Sequence, residues 1–477
     1  MLPAKFKERM ISLLGEAESE KLFAEIENGA AVRSFRVNPI KATVADFEGS
    51  GQNIDRAPLP FPDGAYYTEE KNPGRLPCHH SGMIYMQDPS AMATVHATDI
   101  CSGARILDSC SAPGGKTTQL SALAGDFGLV VANEYEAKRC RILQSNVERL
   151  GCRNTVVVNL DTAVLAETYP DTFDVVLCDA PCSGEGMFRK NELAISEWSP
   201  ENVTMCAERQ REILANVAKC VSRGGKLIYS TCTFSLEENE MNVAWFLDTF
   251  EDFELCSVKS ELEAVTSPGI CIEGCGYDMT KTRRFYPHVS KGEGQFISVL
   301  KRREGHLDER PCEMSKRDKK KKLPQEKKSR EELELLAEAK AFLSENLEDD
   351  FANGARLELI ALGGKVYLKP EIGLPAYGVF AAGVCVGEMV GRRFAPHHQL
   401  FSAFGQHFLR RVVLKGDDAE VLNYLKGLEI SVSDKLETAG NSDGWAAIIV
   451  DGCSLGGGKI SGGVCKNHYP KGLRNQQ

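Results

Sequence analysis

Arg105-Ile106-Leu107-Asp108, followed by Ser109-Cys110-Ser111-Ala112-Pro113-Gly114-Gly115-Lys116-Thr117, is the stretch on which the fold turns. Its apolar centre predicts a short buried strand, and the Pro-Gly-Gly loop after it opens a helix over 117–123. Glycines at such a junction let a ligand approach backbone amides at a helix N-terminus. Gly115-Lys116-Thr117 matches the end of a phosphate-binding loop, but the first glycine of that pattern would fall at Cys110. The dinucleotide pattern G-x-G-x-x-G is also absent. Both nucleotide-loop classes therefore fail at this loop.

Working outward, strand and helix patterns alternate. Strands are expected at 129–134, 155–160, 173–178 and 226–229, and helices at 136–150 and 207–221. Ser235 and Glu238 have the spacing of a capping box for a helix over 236–250. Apolar strands alternating with helices predict an α/β fold with a parallel, doubly wound sheet. Acids follow three successive strands, at Glu134, Asp161 and Asp179. Glu134 stands where an acidic side chain hydrogen-bonds ribose hydroxyls. A glycine loop with serial acids suits an adenosine-bearing cofactor that has no phosphate, a description that S-adenosylmethionine fits.

Two cysteines carry the chemistry. Asp179-Ala180-Pro181-Cys182 closes one strand and Ser230-Thr231-Cys232 a later one. Ligands of such sheets bind at the carboxyl ends of the strands, so both thiols should face one crevice. One thiol can act as a nucleophile; two suggest a covalent adduct that is made and later released. Cytosine carbon 5 needs this, because it becomes nucleophilic only after a thiolate adds to carbon 6. Asp179 is placed to drain charge through ring nitrogen 3. Lys116 either positions the base or its phosphate, or stands solvated at the loop edge.

The remaining chain bounds these expectations. Its 477 residues, 42% hydrophobic and 26% charged, predict two or three ordinary globular domains. A net charge of −10 gives no whole-chain signature of nucleic-acid binding, so phosphate contact must come from local patches. The 17 cysteines form an odd, scattered set, read as reduced thiols in a cytoplasmic protein. No apolar run is long enough to span a bilayer, and neither Cys78-His79-His80 nor Cys271-Ile272-Glu273-Gly274-Cys275 matches a strong zinc pattern, so neither membrane nor metal is expected. Residues 3–27 have helical spacing, and the segment from Phe35-Arg36-Val37-Asn38 completes an α+β module over 1–95, which is expected to bind RNA. A catalytic domain is expected over 96–303. Residues 301–330 hold thirteen Lys or Arg against six Asp or Glu, which predicts a basic linker over 304–330. A helix over 331–347 and strand-like runs such as Val366-Tyr367-Leu368 and 446–450 predict a mostly β domain over 331–477.

These motifs resemble the Nop/Sun family of RNA cytosine-5 methyltransferases. The likeness rests on Phe35-Arg36-Val37-Asn38, Tyr85-Met86-Gln87-Asp88-Pro89-Ser90-Ala91-Met92, the 112–116 loop, Asp179-Ala180-Pro181-Cys182-Ser183-Gly184, Ser230-Thr231-Cys232-Thr233 with Glu238-Asn239-Glu240, and Phe285-Tyr286-Pro287-His288. It implies a Rossmann-like class I methyltransferase fold, with Cys232 as nucleophile and Cys182 assisting release. It also implies that S-adenosylmethionine is held by Cys110, Ser111, Ala112, Pro113, Gly114, Gly115, Lys116, Glu134, Arg139, Asp161 and Asp179. Thr162-Ala163-Val164 departs from the family's usual Gly-Arg after the third-strand acid. The C-terminal block resembles the bacterial RsmF branch, which methylates small-subunit ribosomal RNA and ends in a PUA-like RNA-binding domain. Residues 462–474 interleave basic and aromatic residues, as RNA contact requires. The resemblance thus implies 5-methylcytidine formation in 16S rRNA, either as RNA or within the 30S particle, with no DNA partner; a monomer is expected, because the RNA itself supplies the large second surface. A transfer-RNA enzyme of the same chemistry and a catalytically silent ribosome-assembly factor are the rivals.

Overall fold

The computed structural model describes residues 1–52, 54–304, 329–352, 356–438 and 440–475. Most of the expected basic linker lies outside the described residues. At the centre is a ten-stranded mixed sheet. We label its central strands β1 (Arg105–Asp108), β2 (Leu129–Asn133), β3 (Thr155–Val158), β4 (Phe173–Asp179), β5 (Val221–Thr231), β6 (Gln295–Arg302) and β7 (Val379–Ala382). Strands β3, β2, β1, β4 and β5 lie side by side in parallel. Both faces are covered, so the strands read as nearly continuous apolar runs. Leu107, Val131, Val156 and Val176 are fully buried on one face, and Ile106, Val130 and Ile228 on the other. Each such side chain stabilises the fold by about 1.5–3 kcal/mol relative to exposure.

The expected doubly wound core is present, but its edges are antiparallel. Strand β6 pairs antiparallel with β5, and Arg283–Phe285 continues beyond it. At the far edge β7, from the C-terminal part of the chain, pairs antiparallel with β3. The catalytic sheet therefore does not end near residue 303.

Two local expectations change. The helix after β5 spans Glu240–Thr249, with Asn239 as its N-cap and no capping side chain. The Ser235 and Glu238 capping box does not form, because both side chains are drawn into a buried polar network described below. The helix before β5 spans Pro200–Val217, capped by Ser199, rather than 207–221. Val221 already belongs to the strand.

The N-terminal segment forms two helices, Ala4–Leu14 and Glu16–Asn28, broken at Gly15, whose φ of 81° favours glycine. Their apolar face (Phe6, Met10, Leu22, Phe23, Ile26) packs against Phe188, Trp198, Phe234 and Tyr286 of the central domain. A separate four-stranded sheet carries Ser34–Val37 and Ile84–Met86 as neighbours. The C-terminal block holds the helix Arg330–Asn346, a four-stranded sheet and a six-stranded sheet. The six-stranded sheet encloses Val412, Tyr424, Ile448, Ile460 and Tyr469.

Candidate active site

The register of β4 against β5 places Asp179 beside Ser230 at the carboxyl ends of the strands. The Ser230 hydroxyl donates to Asp179 Oδ1 at 2.6 Å, and Gln295 Nε2 donates to the same oxygen at 3.1 Å. Lys116 Nζ donates to Oδ2 at 2.7 Å. Burial works against the Lys116 ammonium, but the adjoining Asp179 carboxylate outweighs it and holds the lysine above its ordinary value. Lys116 is therefore an ion-paired group at the crevice floor, not a solvated side chain.

Just past these strands, Cys182 Sγ and Cys232 Sγ lie 3.2 Å apart. The shared hydrogen bond with Cys232, and then burial, push the Cys182 thiol well above the usual thiol range. Two buried acids brace the loops carrying the pair. Glu238 accepts from Ser183 N at 3.0 Å, from the Ser183 hydroxyl, and from Gln210 Nε2 at 2.7 Å. Glu185 accepts from Thr233 Oγ1 and Phe234 N at 2.9 Å each, and from Ser235 Oγ and Trp198 Nε1 at 2.8 Å each. Ser183 Oγ and Thr233 Oγ1, each adjacent to one cysteine, meet at 2.8 Å. Burial pushes the Glu238 carboxyl up to about 7, against the lowering effect of these donors.

Next to the thiols is a cleft of about 220 Å³ lined by Asp108, Cys110 to Pro113, Gly115, Lys116 and Asp179 on one side and by Tyr85 to Asp88 and Ala91 on the other. Gly114, at φ 109°, turns the chain into the helix Gly115–Ala124. Asp108 gives one carboxylate oxygen to the Thr117 hydroxyl at 2.7 Å, while its buried Oδ1 has no hydrogen-bond partner among the described residues. Burial, and secondarily the Asp179 charge, push its carboxyl up to about 7. Cys110 is raised well above the usual thiol range by its hydrogen bond with Cys178 and by burial.

The remaining expected residues do not all line the cleft. Glu134 is buried behind the loop, accepting from Ala112 N at 3.3 Å and Glu136 N at 3.0 Å. Arg139 braces the same loop by donating to Ala112 O at 2.9 Å, with Nη1 3.6 Å from Glu134. Asp161 is exposed and caps the helix Thr162–Thr168 through Ala163 N at 2.8 Å.

Sequence reasoning missed Asp108, the wall supplied by Tyr85 to Asp88, and Glu185 with its four donors. It also missed Arg36, which reaches from the N-terminal sheet to Gln87 Oε1 at 2.9 Å, Thr118 Oγ1 at 2.7 Å and Gly115 O at 3.1 Å. Burial pulls this guanidinium down to about 10. Nothing in Phe35-Arg36-Val37 alone marks the arginine as buried; the structure buries this strand on both faces.

Comparison with known proteins agrees with this architecture. Residues 96–301 match the 16S rRNA methyltransferase RsmB/F family, residues 2–89 the N-terminal domain of 16S rRNA methyltransferase RsmF, and residues 411–475 the methyltransferase RsmF PUA domain. The chain is 31% identical over 453 residues to the ribosomal RNA small subunit methyltransferase F of Klebsiella pneumoniae, covering 92% of this chain and 90% of that one. With the protein of the same name from Serratia proteamaculans, identity is 36% over 280 residues, spanning 57% of each chain. Among solved structures, a methyltransferase homolog protein from Pyrococcus horikoshii superimposes with a TM-score of 0.54 at 28% identity, over 62% of this chain and 94% of that one. With its N-terminal domain, its Rossmann-like methyltransferase core and its C-terminal PUA domain, the chain belongs to the RsmF family of 16S rRNA methyltransferases.

Proposed function

We propose that the protein forms 5-methylcytidine in small-subunit ribosomal RNA through a covalent adduct between Cys232 and cytosine carbon 6. The observation that carries this proposal is the pair of thiols 3.2 Å apart, on adjacent strand ends, beside the Lys116–Asp179 ion pair. S-adenosylmethionine, when bound, supplies an electrophilic methyl group. The cleft fits a ligand of that class. It offers glycine-loop backbone, and the unpartnered Asp108 oxygen is an acceptor for an ammonium or hydroxyl group. Residues 108–116 and 179 would hold it, with Glu134 and Arg139 shaping the loop from behind.

In this reading the Cys232 thiolate adds to carbon 6, and a proton held between Lys116 and Asp179 is offered to ring nitrogen 3. Carbon 5, now enamine-like, takes the methyl group. Cys182, having given its own proton to solvent, takes the carbon-5 proton as a thiolate, the ring double bond re-forms, the nitrogen-3 proton returns to the Lys116–Asp179 pair and Cys232 leaves as a thiolate. The hydrogen bond with Cys232 is the first cause that holds the Cys182 thiol above its ordinary range; once Cys232 is bonded to carbon that bond is lost, and Cys182 ionises more readily. The substrate is assigned as ribosomal RNA because the matched family is that of 16S rRNA methyltransferases and the match includes a PUA domain. In the tail over 462–474, Lys466, Lys471 and Arg474 offer positive charge, whereas Tyr469, expected there for RNA contact, is buried in the domain core.

The test is methyl transfer from labelled S-adenosylmethionine to undermodified small subunits, naked small-subunit rRNA and bulk tRNA. We expect label in ribosomal RNA that is lost with Cys232→Ala, and a gel-stable RNA–protein adduct with Cys182→Ala. Label confined to tRNA would move the substrate to that class. RNA binding without transfer to any of the three would favour an assembly factor.

A further inference from the structure

The far side of the cofactor crevice has a feature that the transfer chemistry does not use. Where β3 ends, Asn159 is bonded to three places at once. Its side-chain amide donates to Glu134 O at 2.6 Å and to Tyr135 O at 2.7 Å, spanning the turn that follows β2. Its backbone N–H donates to Gly378 O, in the C-terminal block, at 2.7 Å. Gly378 sits so close that an added Cβ would lie 2.6 Å from Asn159 O and 2.7 Å from Leu160 Cδ2, and its φ of 75° itself favours glycine. The segment around Gly378 is fixed at both ends. Tyr169 donates its hydroxyl to Gly373 O at 2.9 Å, and Val379 begins the pairing of β7 with β3.

Asn159 thus occupies a junction between two structural elements that the sequence separates by more than two hundred residues. On one side is the Glu134 turn, whose carboxylate takes the Ala112 amide of the glycine loop. On the other is the donated edge strand β7. Two amide donors on two consecutive carbonyls fix the direction of those carbonyls, and with them the orientation of the turn. The bulky ring of Tyr135, 74% exposed, gains little from packing and does not hold the turn by itself.

We propose that Asn159 is a positioning residue for the cofactor site, and that Gly378 of the C-terminal block completes that site by anchoring Asn159 from behind. The inference rests on the cofactor reading given above and deepens it: the C-terminal block serves cofactor affinity as well as RNA. By linkage, whatever steadies β7 against β3 tightens the cofactor site, and a bound cofactor steadies β7 to the same degree.

The experiment is calorimetric titration of the full chain with S-adenosylhomocysteine, alongside KM and kcat for methyl transfer. The variants are Asn159→Ala, Gly378→Ala and the double variant, each first checked by thermal unfolding. Both single variants should weaken binding, by about tenfold for Asn159→Ala. The loss should appear in KM for the cofactor and much less in kcat. The double variant should lose no more than the worse single one, because both changes act on the Glu134 turn through Asn159: one removes its side-chain donors, the other displaces its backbone. Should Gly378→Ala fail to fold, Asn159→Ala still carries the test. Wild-type binding with unchanged variants overturns this inference alone. Losses confined to kcat, or fully additive losses, overturn it as well. A wild type that binds no S-adenosylhomocysteine overturns the cofactor reading, and this inference with it.

Discussion

The thiol side of the crevice and the cofactor side are held by different means. Cys182 and Cys232 are fixed from within the central domain, by Glu185, Glu238, Ser183, Thr233 and Gln210. Nearly every member of that network is buried, and its donors are paired with two acids. The cofactor side is shared by three parts of the chain. Its far wall comes from Tyr85 to Asp88, its helix is gripped by Arg36, and its outer edge is closed by β7. The difference suggests where each block exerts control. Displacement of the C-terminal block would be felt first in cofactor affinity, while the hydrogen bonds around the thiols, made within the central domain, stay in place.

The largest effect should come from removing a charge where the two sides meet. Asp179→Asn keeps the shape but loses the partner of Lys116, and we expect methyl transfer to fall by about 10³-fold, within the range for a lost acid or base. Single-turnover assays on small subunits measure this. If transfer persists within tenfold of wild type, Asp179 belongs only to the fold, and the crevice has no charged centre joining its halves.

The thiol side should also be the costlier to break in stability. Glu185→Ala strands Trp198 Nε1, Ser235 Oγ, Thr233 Oγ1 and Phe234 N without their acceptor. A loss of about 3–4 kcal/mol is expected in urea unfolding, from buried donors left unpaired. Glu185→Gln should recover much of it. Equal stability of Glu185→Ala and wild type would mean that the network is not what holds the cysteines.

A pH series sharpens the same point. Glu238 is raised from its ordinary value to about 7. Its folded-state proton is held more tightly than in the unfolded chain, so its contribution is full below the unfolded value. That contribution is lost as pH rises through about 7. The wild type should therefore melt progressively lower between pH 5 and 8, by an amount of the order of 2 kcal/mol in stability. Glu238→Gln should flatten part of that slope. Asp108, also raised to about 7, accounts for a remainder that persists in the variant. A slope unaffected by Glu238→Gln would place the titration elsewhere.

These contrasts also explain what could be read from the sequence. Glu134 lies behind the loop and Asp161 caps a helix, whereas the glycine loop, Asp179 and the meeting of the two thiols were legible because strand, loop and side chain are contiguous. Sequence order carries them to the carboxyl edge of the sheet whatever else packs around it. The capping box at Ser235 and Glu238 was a sound local pattern that lost to a tertiary one: both side chains found partners across the cysteine loops. Strand β7 was not legible as part of the central sheet. Pairing of Val379 with Val158 depends on residues far away in the chain, and nothing in Val379-Phe380-Ala381-Ala382 names that partner. Arg36 was quoted for its resemblance alone. A charged residue in a short strand ordinarily points to water, and only the meeting of two domains turns it inward.

The smallest expected effect tests the joint on the shared side. Lys41, from the N-terminal segment, donates to Ser402 O, to Ser402 Oγ at 3.2 Å and to Ser454 O at 3.2 Å, linking that segment to the C-terminal block. Burial pulls its ammonium down to about 8. Two opposing terms nearly cancel in Lys41→Met: the acceptors lose a donor, but a buried charge is also removed. A net cost of about 1 kcal/mol is therefore expected at neutral pH. The pH sense is opposite to that of Glu238. The depressed lysine penalises the folded state below about 8, and the penalty is relieved as pH rises from there toward the unfolded value. Lys41→Met should thus be closest to wild type near neutrality and fall further behind at pH 9. Hydrogen exchange should quicken in the helix His398–Phe404 and the strand Cys453–Ser461 while residues 182–185 and 232–238 keep their protection. Equal loosening of the cysteine loops would end the distinction between a shared cofactor side and an insulated thiol side.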